Sequence, residues 1–110
     1  GYSIVTFIPN DQAISNNRLI YRVAQLEEWI EEILSKEGLD DWSINWSNSN
    51  YCWKNKKRID LCNPLLPSVF LHELAHALHK NPNFGDKHDG EWADIYDRLT
   101  NTYMVMRKVT

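Results

Sequence analysis

The pentapeptide His72-Glu73-Leu74-Ala75-His76 constrains this chain more than any other stretch. It lies in an apolar run, Val69 to Leu78, that reads as one helix. At ~100° per residue, positions four apart on a helix project from the same side. His72 and His76 can therefore offer two imidazole nitrogens to one zinc ion. Glu73 stands beside them, where a carboxylate can take a proton from an attacking water. An ordinary buried helix is the bland alternative. Burying two histidines and a glutamate so close together costs on the order of several kcal/mol unless they are paired or metal-bound.

A catalytic zinc needs a third protein ligand and an open fourth position. His79 shares a helical face with His72 but lies ~10 Å further along the axis, too far for one ion. A cation near a helix C-terminus is its simpler role. His88 follows Asn81-Pro82-Asn83-Phe84-Gly85-Asp86-Lys87, a turn-rich stretch that can bring the chain back over the first helix. His88 is thus the expected third ligand. Glu91, one turn into the next helical pattern, is the substitute, because a carboxylate can also bind zinc.

The organisation around the motif reads as α+β. Tyr2 to Ile8 is a candidate strand or extended arm, and Pro9-Asn10-Asp11 breaks it. Ser15 is a plausible N-cap for a helix carrying Leu19, Val23, Leu26, Ile30 and Ile33 at spacings of four and three. Glu27, Glu28, Glu31 and Glu32 form its solvated face, and Gly38 suits its stop. Trp42, Ile44 and Trp46 alternate with polar residues as a half-buried strand. Ser47 to Asn50 is a turn, and strands follow at Tyr51 to Lys54 and Arg58 to Cys62. Pro67 can open the motif helix at its first turn. A last helix runs from Gly90 to Met106, with Trp92, Ile95, Tyr96, Leu99, Tyr103 and Met106 on its apolar face. The expected fold is one domain over 1–110, with an N-terminal helix, a three-stranded antiparallel sheet, the HExxH helix and a C-terminal helix.

Composition bounds the partners. The chain has 110 residues and a formal net charge of −3, so no global basic field attracts nucleic acid. Five tryptophans and five tyrosines suit a small core with a few groove-lining rings. No run is long and apolar enough to span a bilayer, and no signal-peptide pattern is visible. A cytoplasmic or otherwise intracellular monomer is expected. The two cysteines, Cys52 and Cys62, flank a hairpin. A three-residue loop at Asn55-Lys56-Lys57 would set Trp53 opposite Ile59 and Tyr51 opposite Leu61. The sulfurs would then be diagonal neighbours, too distant for a bridge, and are read as free thiols. Neither has a CxxC partner for zinc.

The chain resembles the SprT-like family of zinc metallopeptidases, which includes the Spartan proteases. Three blocks carry the resemblance: Arg58-Ile59-Asp60-Leu61, His72 to Leu78, and His88-Asp89-Gly90-Glu91-Trp92 with Leu99. It covers roughly Leu39 to Leu99 and the preceding helix. It implies a zincin-like fold, Zn2+ on His72, His76 and His88, and Glu73 as catalytic base. A metzincin would need glycine and histidine where His79 and Pro82 stand. Many bacterial relatives add a zinc ribbon with paired cysteines, and Spartan proteins add DNA- and partner-binding regions; none is visible here. What remains resembles a bare catalytic core of the kind a phage or mobile element carries. Relatives cleave proteins crosslinked to DNA, which suggests DNA-associated protein substrates.

The expected activity is hydrolysis of peptide bonds by a metal-activated water with Glu73 as general base. Tyr96, Tyr103 and Tyr51 are candidates for stabilising the oxyanion, each with a core-aromatic role as the alternative. A substrate strand could add to a free edge of the sheet. Lys54, Lys56, Lys57 and Arg58 concentrate positive charge and could touch a phosphate backbone weakly, with Trp53 beside them to stack on a base or pack on Ile59. The competing function is a non-catalytic zinc-binding interaction domain. Such a site would close its fourth position and would not need Glu73.

Overall fold

The computed structural model describes residues 14, 16–80 and 88–104. The expected Tyr2–Ile8 strand, the Ser15 cap and the 81–87 loop lie outside these residues, and the last helix ends at Tyr103 with Met104 as its C-cap, short of the expected Met106. Among the described residues, three helices and a three-stranded sheet follow in the order α1 (Ala24–Lys36), β1 (Ser43–Ser47), β2 (Tyr51–Trp53), β3 (Arg58–Cys62), α2 (Pro67–Leu78) and α3 (Gly90–Tyr103). The α+β class is as expected. Among the described residues, no helix is long and apolar enough to cross a membrane.

Helix α1 begins later than the apolar spacing suggested. Leu19 and Val23 are 59% and 42% exposed and precede it. The backbone of Ile20 instead exchanges two 2.8 Å hydrogen bonds with Leu65, and the Arg22 N–H donates to Asn63 Oδ1 at 2.8 Å. These partners hold the segment extended, so its backbone groups are satisfied without a helix. Leu26, Ile30 and Ile33 are buried as expected, joined by Trp29 and Leu34. Gly38 ends the helix in the left-handed conformation, φ 77°. The Leu39 N–H reaches back to the Leu34 carbonyl at 2.8 Å and that of Gly38 to Ser35 at 3.1 Å, the Schellman pattern that favours glycine.

The sheet is mixed, which corrects the antiparallel expectation. Its order is β1-β3-β2, with β1 parallel and β2 antiparallel to β3. The short turn after β1 does not close a hairpin; β3 inserts between the two strands. Alternation of apolar and polar residues marks a strand but does not name its neighbour. Both faces of β3 favour the central place. Ile59 and Leu61 are fully buried on one face. On the other, Asp60 accepts from Asn45 of β1 (3.2 Å) and from the Trp53 indole of β2 (2.9 Å), so it needs strands on both sides.

The β2–β3 register also differs by one residue. Trp53 pairs with Arg58, Cys52 with Ile59 and Tyr51 with Asp60. The connection is a 3₁₀ turn, Lys54–Lys56, followed by Lys57 at φ 50°. This longer turn shifts the pairing, and a one-residue shift exchanges the faces of the strand. Cys52 thereby enters the core, while Tyr51 and Trp53 join Arg58 and Asp60 outside. Both thiols are free, as expected, and they lie on opposite faces of the sheet.

Helix α2 opens at Pro67, whose missing N–H costs nothing in the first turn. The N–H of Ser68 is satisfied by Asn17 Oδ1 at 2.9 Å. Phe70, Leu71, Leu74 and Ala75 are fully buried. The helix packs on β2, β3 and α3. Leu99 is the one fully buried apolar side chain among the described residues of α3, while Trp92, Ile95, Tyr96 and Tyr103 pack half-buried against the core.

Candidate metal centre

Helix α2 sets two histidines one turn apart, and the start of α3 brings a third to meet them. His88 Nε2 lies 3.1 Å from His76 Nε2 and 3.1 Å from His72 Nε2. Ligand atoms of all three fall within 4.8 Å of one another, close enough to hold one metal ion. Bonds of ~2.0–2.1 Å in a tetrahedral arrangement would separate such nitrogens by ~3.3 Å, so the cluster fits an ion of that size. His76 is buried, His72 half-buried and His88 exposed. The site is thus anchored at its base and open on the side of the third ligand. Burial, with the nearby His88 charge, holds the His72 imidazole below its usual range, favouring the neutral form that metals bind.

Trp92 packs against this cluster from α3. Its ring lies 4.6 Å from His88, 4.9 Å from His72 and 5.5 Å from His76, centre to centre. Tyr96 stacks on Trp92 at 5.0 Å and lies 6.2 Å from His72. Because the two rings sit one helical turn apart, a single face of α3 walls the site.

Glu73 is 8% exposed. Burial raises its carboxyl to about 7. The Cys52 thiol is pushed up to about 12 by burial and by the charge of Glu73, with the Lys54 ammonium opposing weakly. Such a thiol stays protonated and is no nucleophile. The hairpin shift therefore has a chemical consequence: it seats an inert apolar group from β2 near the carboxylate.

The remaining candidates divide cleanly. His79 is 4% exposed and lies outside the cluster; its Nε2 contacts Asp89 Oδ1 at 2.8 Å. Glu91 is also outside it and accepts from the Lys80 N–H at 3.3 Å. Tyr103 donates to Glu37 Oε2 at 2.6 Å, and Tyr51 packs edge-on against Trp53 at 4.7 Å. Of the three tyrosines, only Tyr96 has a ring contact with the cluster. The basic residues are each engaged. Lys54 Nζ donates to the His79 carbonyl, and Lys57 Nζ to Asp41. Arg58 Nε donates to Asp60 at 3.0 Å, while Lys56 lies 4.8 Å over the Trp53 ring. Trp53 is therefore held by Asp60 and two cations rather than by Ile59.

Asp89 and His79 pair at the junction of the two helices, which their positions in sequence do not announce. Asp89 is the N-cap of α3, accepting from the Trp92 N–H at 3.0 Å. The signal was legible as an acidic residue just before a helical pattern. No family model, curated protein or solved structure matches this chain.

Proposed function

We propose that this chain is a zinc-dependent endopeptidase of the SprT-like type. The observation that carries the reading is the convergence of three imidazole nitrogens from two helices, with Glu73 one residue from the first of them. Three neutral nitrogen donors suit zinc, and a three-ligand set leaves the open position that catalytic sites keep. A zinc ion held there would supply a Lewis acid that acidifies water and polarises the scissile carbonyl.

Glu73 removes the proton from the attacking water and returns it to the leaving amine. Burial raises its carboxyl above the ordinary value, which makes it a stronger base. The Tyr96 hydroxyl is our choice for steadying the oxyanion. A peptide segment fits along β2, whose second edge has no strand partner among the described residues and which packs beside α2. Main-chain pairing there would tolerate many sequences. DNA-associated proteins are the proposed substrate class, approached through weak phosphate contacts at Lys54, Lys56, Lys57 and Arg58.

The test is cleavage of an unstructured protein such as casein, read as new amino termini. Treatment with a chelator should abolish cleavage, and added zinc should restore it. Cleavage that persists in the demonstrated absence of metal would contradict the proposal.

A further inference from the structure

Two of the three imidazoles are placed by helix geometry, but His88 precedes α3 and follows the 81–87 stretch. A ligand that precedes a helix is not placed by the helix backbone and must be held by other contacts, or its ordering opposes metal binding. The end of α2 and the start of α3 meet directly, and the shortest contact between them is a histidine–carboxylate pair. His79, the residue that caps α2, places Nε2 2.8 Å from Asp89 Oδ1. A carboxylate oxygen can only accept, so that ring nitrogen carries the proton. The same Oδ1 accepts the Trp92 N–H at 3.0 Å and starts α3. Asp89 is the immediate neighbour of His88, and the Trp92 ring lies against all three imidazoles.

Further straps support the junction. Lys54 donates to the His79 carbonyl, and Glu91 accepts the Lys80 N–H. Two acidic residues sit at the N-terminal end of α3, the side that the helix dipole favours.

We propose that His79 and Asp89 are positioning residues that preset His88 before metal arrives. The inference rests on the metal-centre reading and deepens it. The pair touches neither the ion nor a substrate; it fixes the direction from which the third imidazole enters. Partners that orient ligands in this way are typically worth about 10- to 100-fold in metal affinity.

The test is the zinc affinity of the metal-free full chain, measured by competition with a chromophoric chelator. Asp89→Ser keeps a helix cap but is too short to reach His79, so zinc should bind about 10- to 100-fold more weakly. Asp89→Asn keeps both the cap and an acceptor oxygen, and should stay within about threefold of wild type. His79→Ala should match Asp89→Ser, and the double variant should be no weaker than either single change, because the two residues act through one contact. Arg98→Ala, a change elsewhere in α3, should leave zinc affinity unaltered. Equal zinc affinity in Asp89→Ser and wild type would overturn the inference. So would an equal loss in Asp89→Asn and Asp89→Ser, which would mean that the carboxylate acts only through its charge. Failure of the underlying reading looks different: wild type would bind no zinc, or His88→Ala would bind it as tightly as wild type.

Discussion

Glu37 receives three hydrogen bonds from one helix. Arg98 donates twice, at 3.1 and 2.8 Å, and the Tyr103 hydroxyl donates at 2.6 Å. A planar guanidinium matches a carboxylate in this way, and lysine would not. Despite burial, the Arg98 bond holds the Glu37 carboxyl below its ordinary value of 4.5. Burial and the Glu37 bond push the Tyr103 hydroxyl up to about 12. Arg98 is half-exposed, so its loss should cost only about 1–2 kcal/mol, read by urea denaturation of Arg98→Ala. The sign of the pH dependence follows. A depressed carboxyl adds stability above its unfolded pKa, and that stability is lost as pH falls through the lower folded value. The gap between wild type and Arg98→Ala should therefore be full at neutral pH and shrink below about pH 4.5. A gap that widens in acid would contradict this assignment. None of this network was legible in sequence, because 61 and 66 residues separate its partners.

At the scale of elements, the legible parts were those whose signal is local. The motif helix opens at Pro67 as its sequence suggests, and Gly38 stops α1. The His88 segment returns to α2, bringing the three imidazoles together. What differs depends on partners distant in the chain, or on a backbone conformation with no side-chain signal. The start of α1 is not legible because Leu19 and Val23 match a helical spacing while Ile20 pairs with Leu65. The order of the sheet is not legible because strands adjacent in sequence need not be adjacent in space. The hairpin register slipped because Lys57 adopts a left-handed conformation that its side chain does not advertise. The helices also make a testable pair. One ion would join α2 to the start of α3, so metal should stabilise both together. With zinc at about 100 times its dissociation constant, the gain is about 2.7 kcal/mol, or roughly 10 °C in Tm for a domain this small. Chelation should lower Tm by that order in a thermal melt. An unchanged Tm with metal loss confirmed would count against a shared ion.

The whole molecule carries a formal net charge of −3, and its one basic cluster is already engaged within the fold. Releasing those side chains for phosphates would cost their present contacts. Few phosphates could be neutralised at once, so affinity for single-stranded DNA should be weak and steeply salt-dependent. Fluorescence anisotropy over a salt series should show binding that vanishes near physiological salt. Persistence at high salt, or survival of binding when all four basic residues become serine, would place DNA on another surface. The central claim is narrower and concerns the site. Wild type and Glu73→Gln, loaded with equal zinc, should be compared for casein cleavage at neutral pH. The amide cannot accept the proton, so the account predicts at least a ~100-fold loss of rate with zinc content and fold retained. Cleavage by Glu73→Gln at the wild-type rate would contradict it.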